Sequence, residues 1–196
     1  MTRPLIVMLL VLLLIAGGLG FYAYHLRNRV AQEEQRLAAQ ASAALPAAGG
    51  PTIPVVFYVA SDADGTLHRQ QDSVALPEER SGRARAILQA LLTKYSSGAS
   101  THPIGAGSDV RDVFLLGSDT AIVDTSAGFA ESHPSGVLAE ELTIASIVET
   151  LTTSDPRISR VKILVDGKER ETLAGHADLR RFYTASDMEM FAKDAK

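Results

Sequence analysis

Cysteine is absent from the 196-residue chain. Its absence excludes disulfides, thiolate metal sites, cysteine nucleophiles and a lipidated N-terminal cysteine. Tryptophan is also absent and aromatics make up 6%, so few side chains are on hand to stack on bases or sugars. Basic charge is not in excess. The 19 Lys and Arg against 23 Asp and Glu give a formal net charge of -4, which argues against nucleic acid as a main partner. Hydrophobic residues are 46% and charged residues 21%, close to the globular average, so wholesale disorder is excluded. The length leaves room for one globular domain plus a modest appendage.

No charged residue lies between Pro4 and Tyr24. The run has roughly the 20 residues a helix needs to cross a hydrocarbon core, and it lacks the polar face a globular core helix would carry. Phe21, Tyr22 and Tyr24 gather at one end, where aromatic rings favour the membrane interface. A cleaved signal peptide would have a shorter apolar stretch and a small-residue cleavage site. Here the run flows into His25-Leu26-Arg27 without one. The expectation is a single uncleaved transmembrane helix over 4–24, after a short cytoplasmic tail over 1–3. Arginines flank both sides, so the positive-inside rule does not decide orientation. Residues 25–53 then read as a helical stalk, rich in Ala, Gln and Glu, and a Pro/Gly/Ala linker.

From Pro54 to Tyr183 the pattern alternates between strands and helices. Val55–Val59 is a β-branched and aromatic strand, followed by the turn-rich Ser61-Asp62-Ala63-Asp64-Gly65 and a return strand over Leu67–Val74. Ser81 is a plausible N-cap for a helix through Tyr95, with Ala84, Ile87, Leu88, Leu91 and Leu92 at helical spacing. Val110–Leu116 and Thr120–Val123 form a predicted hairpin across Gly117-Ser118-Asp119. A long helix over Gly136–Thr152 is predicted to bury Leu138, Leu142, Ala145, Val148 and Leu151, stopped by Asp155-Pro156. Val161–Val165 is a further strand, and Asp166-Gly167 is a hairpin signal leading to a strand over Glu169–Leu173. A short polar tail over 184–196 includes Met188 and Met190. The expected architecture is an α+β, two-layer domain of about six strands and two main helices, in ββα-type halves, preceded by the transmembrane helix.

Motifs that carry chemistry are weak. Gly105-Ala106-Gly107 has two glycines of a dinucleotide fingerprint, but a strand follows where a phosphate cradle needs a helix N-terminus. Ser126 and Ser135 lie near His133 and Asp124 in sequence, yet no G-x-S-x-G elbow occurs. Asp124-Thr125-Ser126 reads more simply as a strand end bonding local backbone. The five histidines are scattered, and the Asp62-to-Gly65 turn fails the calcium-loop template at its twelfth position. Glu140 and Glu141 sit in the first turns of a helix, where negative charge is favourable without any catalytic role. No cofactor, metal or catalytic residue is expected.

Several segments together resemble the GerMN domain. They are Val110–Ser126, Glu140–Leu151 with its closing Thr-Leu pair, Val161–Lys168 and Leu173–Leu179, supported by Tyr58–Gly65 and Ala86–Leu92. The resemblance spans nearly all of 54–183. It implies a bacterial, extracytoplasmic and membrane-tethered interaction domain, known from sporulation, spore germination and envelope lipoproteins, with a fold similar to ring-building modules and no reaction of its own. Two departures stand out: one domain instead of a tandem pair, and a transmembrane helix in place of an acylated cysteine. The function expected is a non-catalytic assembly module of a bacterial envelope or sporulation complex, with the membrane, other envelope proteins and copies of itself as partners. The alternative is a module for a small envelope ligand such as a cell-wall fragment, which would use a polar patch around Asp124, Ser126 and His133. A hydrolase is a third reading, requiring a serine–histidine pair within hydrogen-bond reach.

Overall fold

A computed structural model describes residues 50–191. The tail over 1–3, the transmembrane helix over 4–24, the stalk and all but the last few residues of the linker lie outside the described residues, as do 192–196. Among the described residues no helix is long and apolar enough to cross a membrane.

The chain opens with an antiparallel hairpin of β1 (Thr52–Ser61) and β2 (Thr66–Ala75). Gly65, at φ +70°, closes the turn between them, where a side chain would be strained. Helix α1 (Arg80–Tyr95) follows. Its N-cap is Glu79, not Ser81: the Glu79 carboxylate accepts from the backbone N–H of both Ser81 and Gly82, serving two orphan donors where a serine hydroxyl could serve one. A second sheet holds β3 (Val110–Leu116), β4 (Thr120–Thr125) and β5 (Arg160–Val165), in the order β3-β4-β5. β3 and β4 are antiparallel, with a bulge between Val110 and Asp112, whereas β4 and β5 are parallel. The crossover between the parallel strands runs through the short α2 (Ala127–Glu131) and the long α3 (Val137–Ser154), as parallel pairing requires.

Among the described residues the class is α+β, with two sheets, of two and three strands, and four helices including the short α4 (Ala185–Met188). The strand expected over Glu169–Leu173 does not form. Asp166 and Gly167 do take left-handed conformations, φ 54° and 72°, and Val165 bridges Lys168. Beyond that bridge the segment pairs with itself instead of with the sheet, Thr172 bridging Asp178, around a loop whose Ala174, His176 and Ala177 N–H groups turn to the Glu140 carboxylate. The chain returns to the sheet only at Tyr183, which bridges Val161. Beyond it, Met188 and Phe191 are buried, and the Phe191 carbonyl accepts from Leu67 N–H at 2.9 Å.

α3 packs against β1 and α1, while α1 packs against β3. From Leu142 to Leu151 every residue of α3 is buried, so this stretch has no solvent face and its apolar stripe is only part of the pattern. Leu138 departs from the expected stripe: it is exposed, beside the turn at Gly65. The polar residues of α3 serve the strand next to them. Thr150 Oγ1 accepts from Tyr58 N–H at 3.0 Å, and Ser146 Oγ donates to the Tyr58 carbonyl. Tyr95 of α1 adds its hydroxyl, which accepts from Ala60 N–H at 2.9 Å and also bonds Ser146. The edge of β1 turned away from β2 is thus satisfied by helix side chains instead of a third strand. Tyr95→Phe strands the Ala60 N–H in the interior and should destabilise the full chain by about 1–3 kcal/mol in urea titrations followed by circular dichroism.

Candidate functional site

The most developed polar cluster gathers four side chains from separate parts of the chain. Asp62 follows β1, His102 lies between α1 and β3, His133 lies between α2 and α3, and Thr143 sits on α3. His102 Nδ1 is 2.6 Å from Asp62 Oδ1, and its Nε2 is 2.6 Å from Thr143 Oγ1. His133 Nε2 reaches the same hydroxyl at 2.7 Å, while its Nδ1 faces the Pro134 carbonyl at 2.8 Å. Tyr95 and Phe129 pack edge-on against the two rings. Burial lowers the His133 pKa, with the neighbouring His102 acting in the same direction.

Asp62–His102–Thr143 has the connectivity of a hydrolase relay. It does not have the access. Thr143 is 0% exposed, and its hydroxyl also lies 3.2 Å from the Ala139 carbonyl, one turn back on the same helix. A hydroxyl enclosed between two imidazoles offers no place for a reacting carbon.

The residues singled out from sequence occupy three different settings. Asp124 on β4 is buried, accepts from Gly167 N–H at 2.7 Å, and lies 3.8 Å from Arg111. Ser126 caps α2 by accepting from Phe129 N–H, and it also accepts from Asp109 N–H and donates to the Gly107 carbonyl. His133 belongs to the threonine cluster, and it also lines a shallow cleft with Ser135, Arg170 and Thr172. No hydrogen bond joins any two of Asp124, Ser126 and His133 among the described residues. The Gly105-Ala106-Gly107 loop packs against backbone: a Cβ at Gly105 would sit 2.0 Å from the Ser132 carbonyl oxygen. Asp62 and Asp64 turn to histidines, with Asp64 2.7 Å from His68. Among the described residues no group of three or more acidic or histidine side chains could hold a metal ion.

Glu140 does more than its sequence context implies. The favourable end of a helix dipole describes its place correctly but incompletely. Its carboxylate is 0% exposed. Oε2 accepts from the backbone N–H of Ala174, His176 and Ala177 at 2.9–3.0 Å. Oε1 accepts from His176 Nδ1 at 2.8 Å and from Gly136 N–H at 3.2 Å. Burial alone would raise its pKa, but the His176 bond and the backbone donors prevail and hold it at about 2. The neighbouring Glu141 has no such ring of donors, and burial raises its pKa.

The surface differs in character. On the outward face of β3-β4-β5, Phe114 and Leu116 are 50% and 52% exposed and stand opposite Ile122 and Thr120. Phe182 is also exposed, with Arg160 and Lys162 held over its ring at 5.4 and 5.7 Å. β3 is one of the two edge strands of this sheet. Elsewhere a groove of about 520 Å³ has an apolar floor that includes Val55, Leu76, Ile87 and Leu151. Two of its rim arginines, Arg80 and Arg157, both pair with Asp155.

A family model described as Germane, sporulation and spore germination, matches residues 55–171. The chain belongs to this family. The Germane match begins inside β1 and ends at Glu171, just before the backbone that Glu140 grips. The tandem GerMN domains of the sporulation protein GerM from Bacillus subtilis superpose with a TM-score of 0.54 at 21% identity, over 70% of this chain and 48% of that one. This chain therefore spans about half of the tandem structure, and the likeness shows a shared fold. The first GerMN domain of the same protein gives a TM-score of 0.48 at 19% identity, over 66% of this chain and 95% of that one. A chain described as a candidate lipoprotein from Clostridium perfringens gives 0.48 at 21% identity, over 71% and 92%. No curated protein matches.

Within the Germane domain, Glu140→Gln replaces an acceptor with an amide that opposes backbone N–H groups. It should cost about 2–4 kcal/mol in urea titrations at neutral pH. The depressed Glu140 pKa fixes the sign of the pH dependence. The stability it supplies is complete above the unfolded carboxylate range and is lost as pH falls toward 2. The wild-type chain should therefore lose stability between about pH 5 and pH 2 more steeply than Glu140→Gln does.

Proposed function

We propose that this chain is a membrane-anchored, extracytoplasmic and non-catalytic assembly module in a bacterial envelope or sporulation-related complex. The family carries the link to sporulation and spore germination, and the charge-free run from Pro4 to Tyr24 is what supports the anchor. The observation that carries the assembly role is the contrast between interior and surface. Asp62, His102, His133, Thr143 and Glu140 bond one another or nearby backbone, while Phe114, Leu116 and Phe182 lie exposed on one sheet face. Exposed aromatics beside an unpaired strand edge suit a protein partner that offers an apolar surface of its own. A second reading, a small envelope ligand such as a cell-wall fragment, has one observation in its favour: His133, Ser135 and Arg170 share the shallow cleft.

A photo-crosslinking amino acid at position 114 of the full-length chain, activated in cells, separates these readings. Discrete protein adducts are expected at 114 and not at Gln70 on the polar strand β2. The paired change Phe114→Asp and Leu116→Asp should weaken recovery of the same partner roughly tenfold while leaving the circular dichroism melt in place. Equal adduct patterns at 114 and 70 would sink the surface assignment. Protection of the His133 ring signal by cell-wall fragments, with no adduct at 114, would favour the ligand reading.

A further inference from the structure

We propose that the Asp62–His102–Thr143–His133 chain is a buried proton site, holding one proton more than two neutral imidazoles carry. That proton ties the β1–β2 turn and the two histidine loops to α3. The inference follows from counting donors. Asp62 Oδ1 and the Pro134 carbonyl are acceptors, so the Nδ1 facing each must carry hydrogen. Two neutral rings then have bare Nε2 atoms, both aimed at the Thr143 hydroxyl at 2.6 and 2.7 Å. The hydroxyl has a single hydrogen, which the Ala139 carbonyl at 3.2 Å also contests, so it can donate to at most one of them. The other Nε2 would face an oxygen lone pair at hydrogen-bond distance inside the protein, where an unmade bond is costly. One further proton resolves the conflict: one ring donates to Thr143, and Thr143 donates to the other.

The surrounding charges agree. Asp62 faces the cluster from the β1–β2 turn and Glu140 from α3, and both carboxylates favour a cation at His133. Among the described residues, each has a histidine as its only ion-pair partner, His102 for Asp62 and His176 for Glu140. From α1 the neighbouring group is Tyr95, a phenol held neutral by burial with its pKa pushed up to about 12. The Asp62 carboxylate lies 2.6 Å from His102 Nδ1, which places the extra proton on the His102 side, while burial works against a charge on His133. Asp62 is partly exposed whereas His102 is buried, so the site can exchange its proton with solvent through the turn.

The consequence is a stability profile with two limbs. The unfolded chain binds two protons on these rings well below a pKa of about 6.5 and none well above it, while the folded site holds one throughout. Stability from this site therefore rises with pH on the acid side, peaks near pH 6.5 and falls on the alkaline side. Above about pH 7.5 the unfolding constant should rise roughly tenfold per pH unit until the folded site itself titrates. Two neutral buried histidines would give a plateau there.

The test is long-range proton–nitrogen NMR of the histidine-labelled full-length chain in detergent, from pH 6 to 8.5, with urea stability measured over the same range. At neutral pH three hydrogens are expected on the four ring nitrogens of His102 and His133. Thr143→Val removes the bridge, and two neutral rings and a flat alkaline limb are expected. Asp62→Asn changes a partly exposed position and preserves the Nδ1 acceptor while removing its charge, so it should lose the third ring hydrogen within the range where the wild-type chain keeps it. Two neutral rings in the wild-type chain at neutral pH, with stability level from pH 7 to 8.5, would overturn the proposal. Retention of the third ring hydrogen up to pH 8.5 in Asp62→Asn would do the same.

Discussion

α3 is enclosed from Leu142 to Leu151, so the hydroxyls of Thr143, Ser146 and Thr150 must find their partners inside the protein. That constraint organises the domain. Glu140 takes the loop after β5, Thr143 takes the two histidine loops, and Ser146 and Thr150 take the free edge of β1. An apolar helix of the same length would fill the same volume. It would leave the Tyr58 backbone and the N–H groups of Ala174, His176 and Ala177 unserved, at a cost comparable to several lost hydrogen bonds.

The regular elements are legible in the sequence because their signals are local. The β-branched and aromatic run Val55–Val59, the strand Val161–Val165, helical spacing through Ala84–Leu92 and turn chemistry at Gly65, Gly117 and Asp166-Gly167 all correspond to elements or turns of the fold. The absent strand over Glu169–Leu173 shows the limit. The turn itself is plain in the residues, but its continuation depends on a carboxylate more than 30 residues earlier, and no window of sequence contains both. The N-cap of α1 differs for a smaller reason. Glu79 outcompetes Ser81 because its longer side chain reaches two N–H groups at once.

The candidate site is legible only in residue type. Asp124 and Ser126 read both as local backbone partners and as patch residues, and their bonds to Gly167, Asp109 and Gly107 are of the local or loop-fixing kind. His133 lies ten residues from Thr143, and His102 lies 41 residues away, so their meeting at one hydroxyl is a product of the fold. One signal is present: Thr143, Ser146 and Thr150 recur at i, i+3 and i+7 through the enclosed part of the helix. Polar residues recurring on one side of a buried helix imply partners arriving from elsewhere.

In this cluster the catalytic residue types are saturated by partners from within the protein. A catalytic acid or nucleophile must keep a bonding position free for substrate, whereas Glu140 has five donors and Thr143 has two imidazoles and a carbonyl. Saturation of that kind fixes position. It holds the connections at 62, 102, 133 and 174–177 to a single rigid helix, although each is joined to the rest of the chain by turns or irregular backbone. Buried polar contacts of this sort gain less in net stability than apolar packing would, but they penalise every arrangement in which a donor goes unmatched. For a small domain with an exposed sheet face, that specificity keeps the surface in one shape without the support of disulfides.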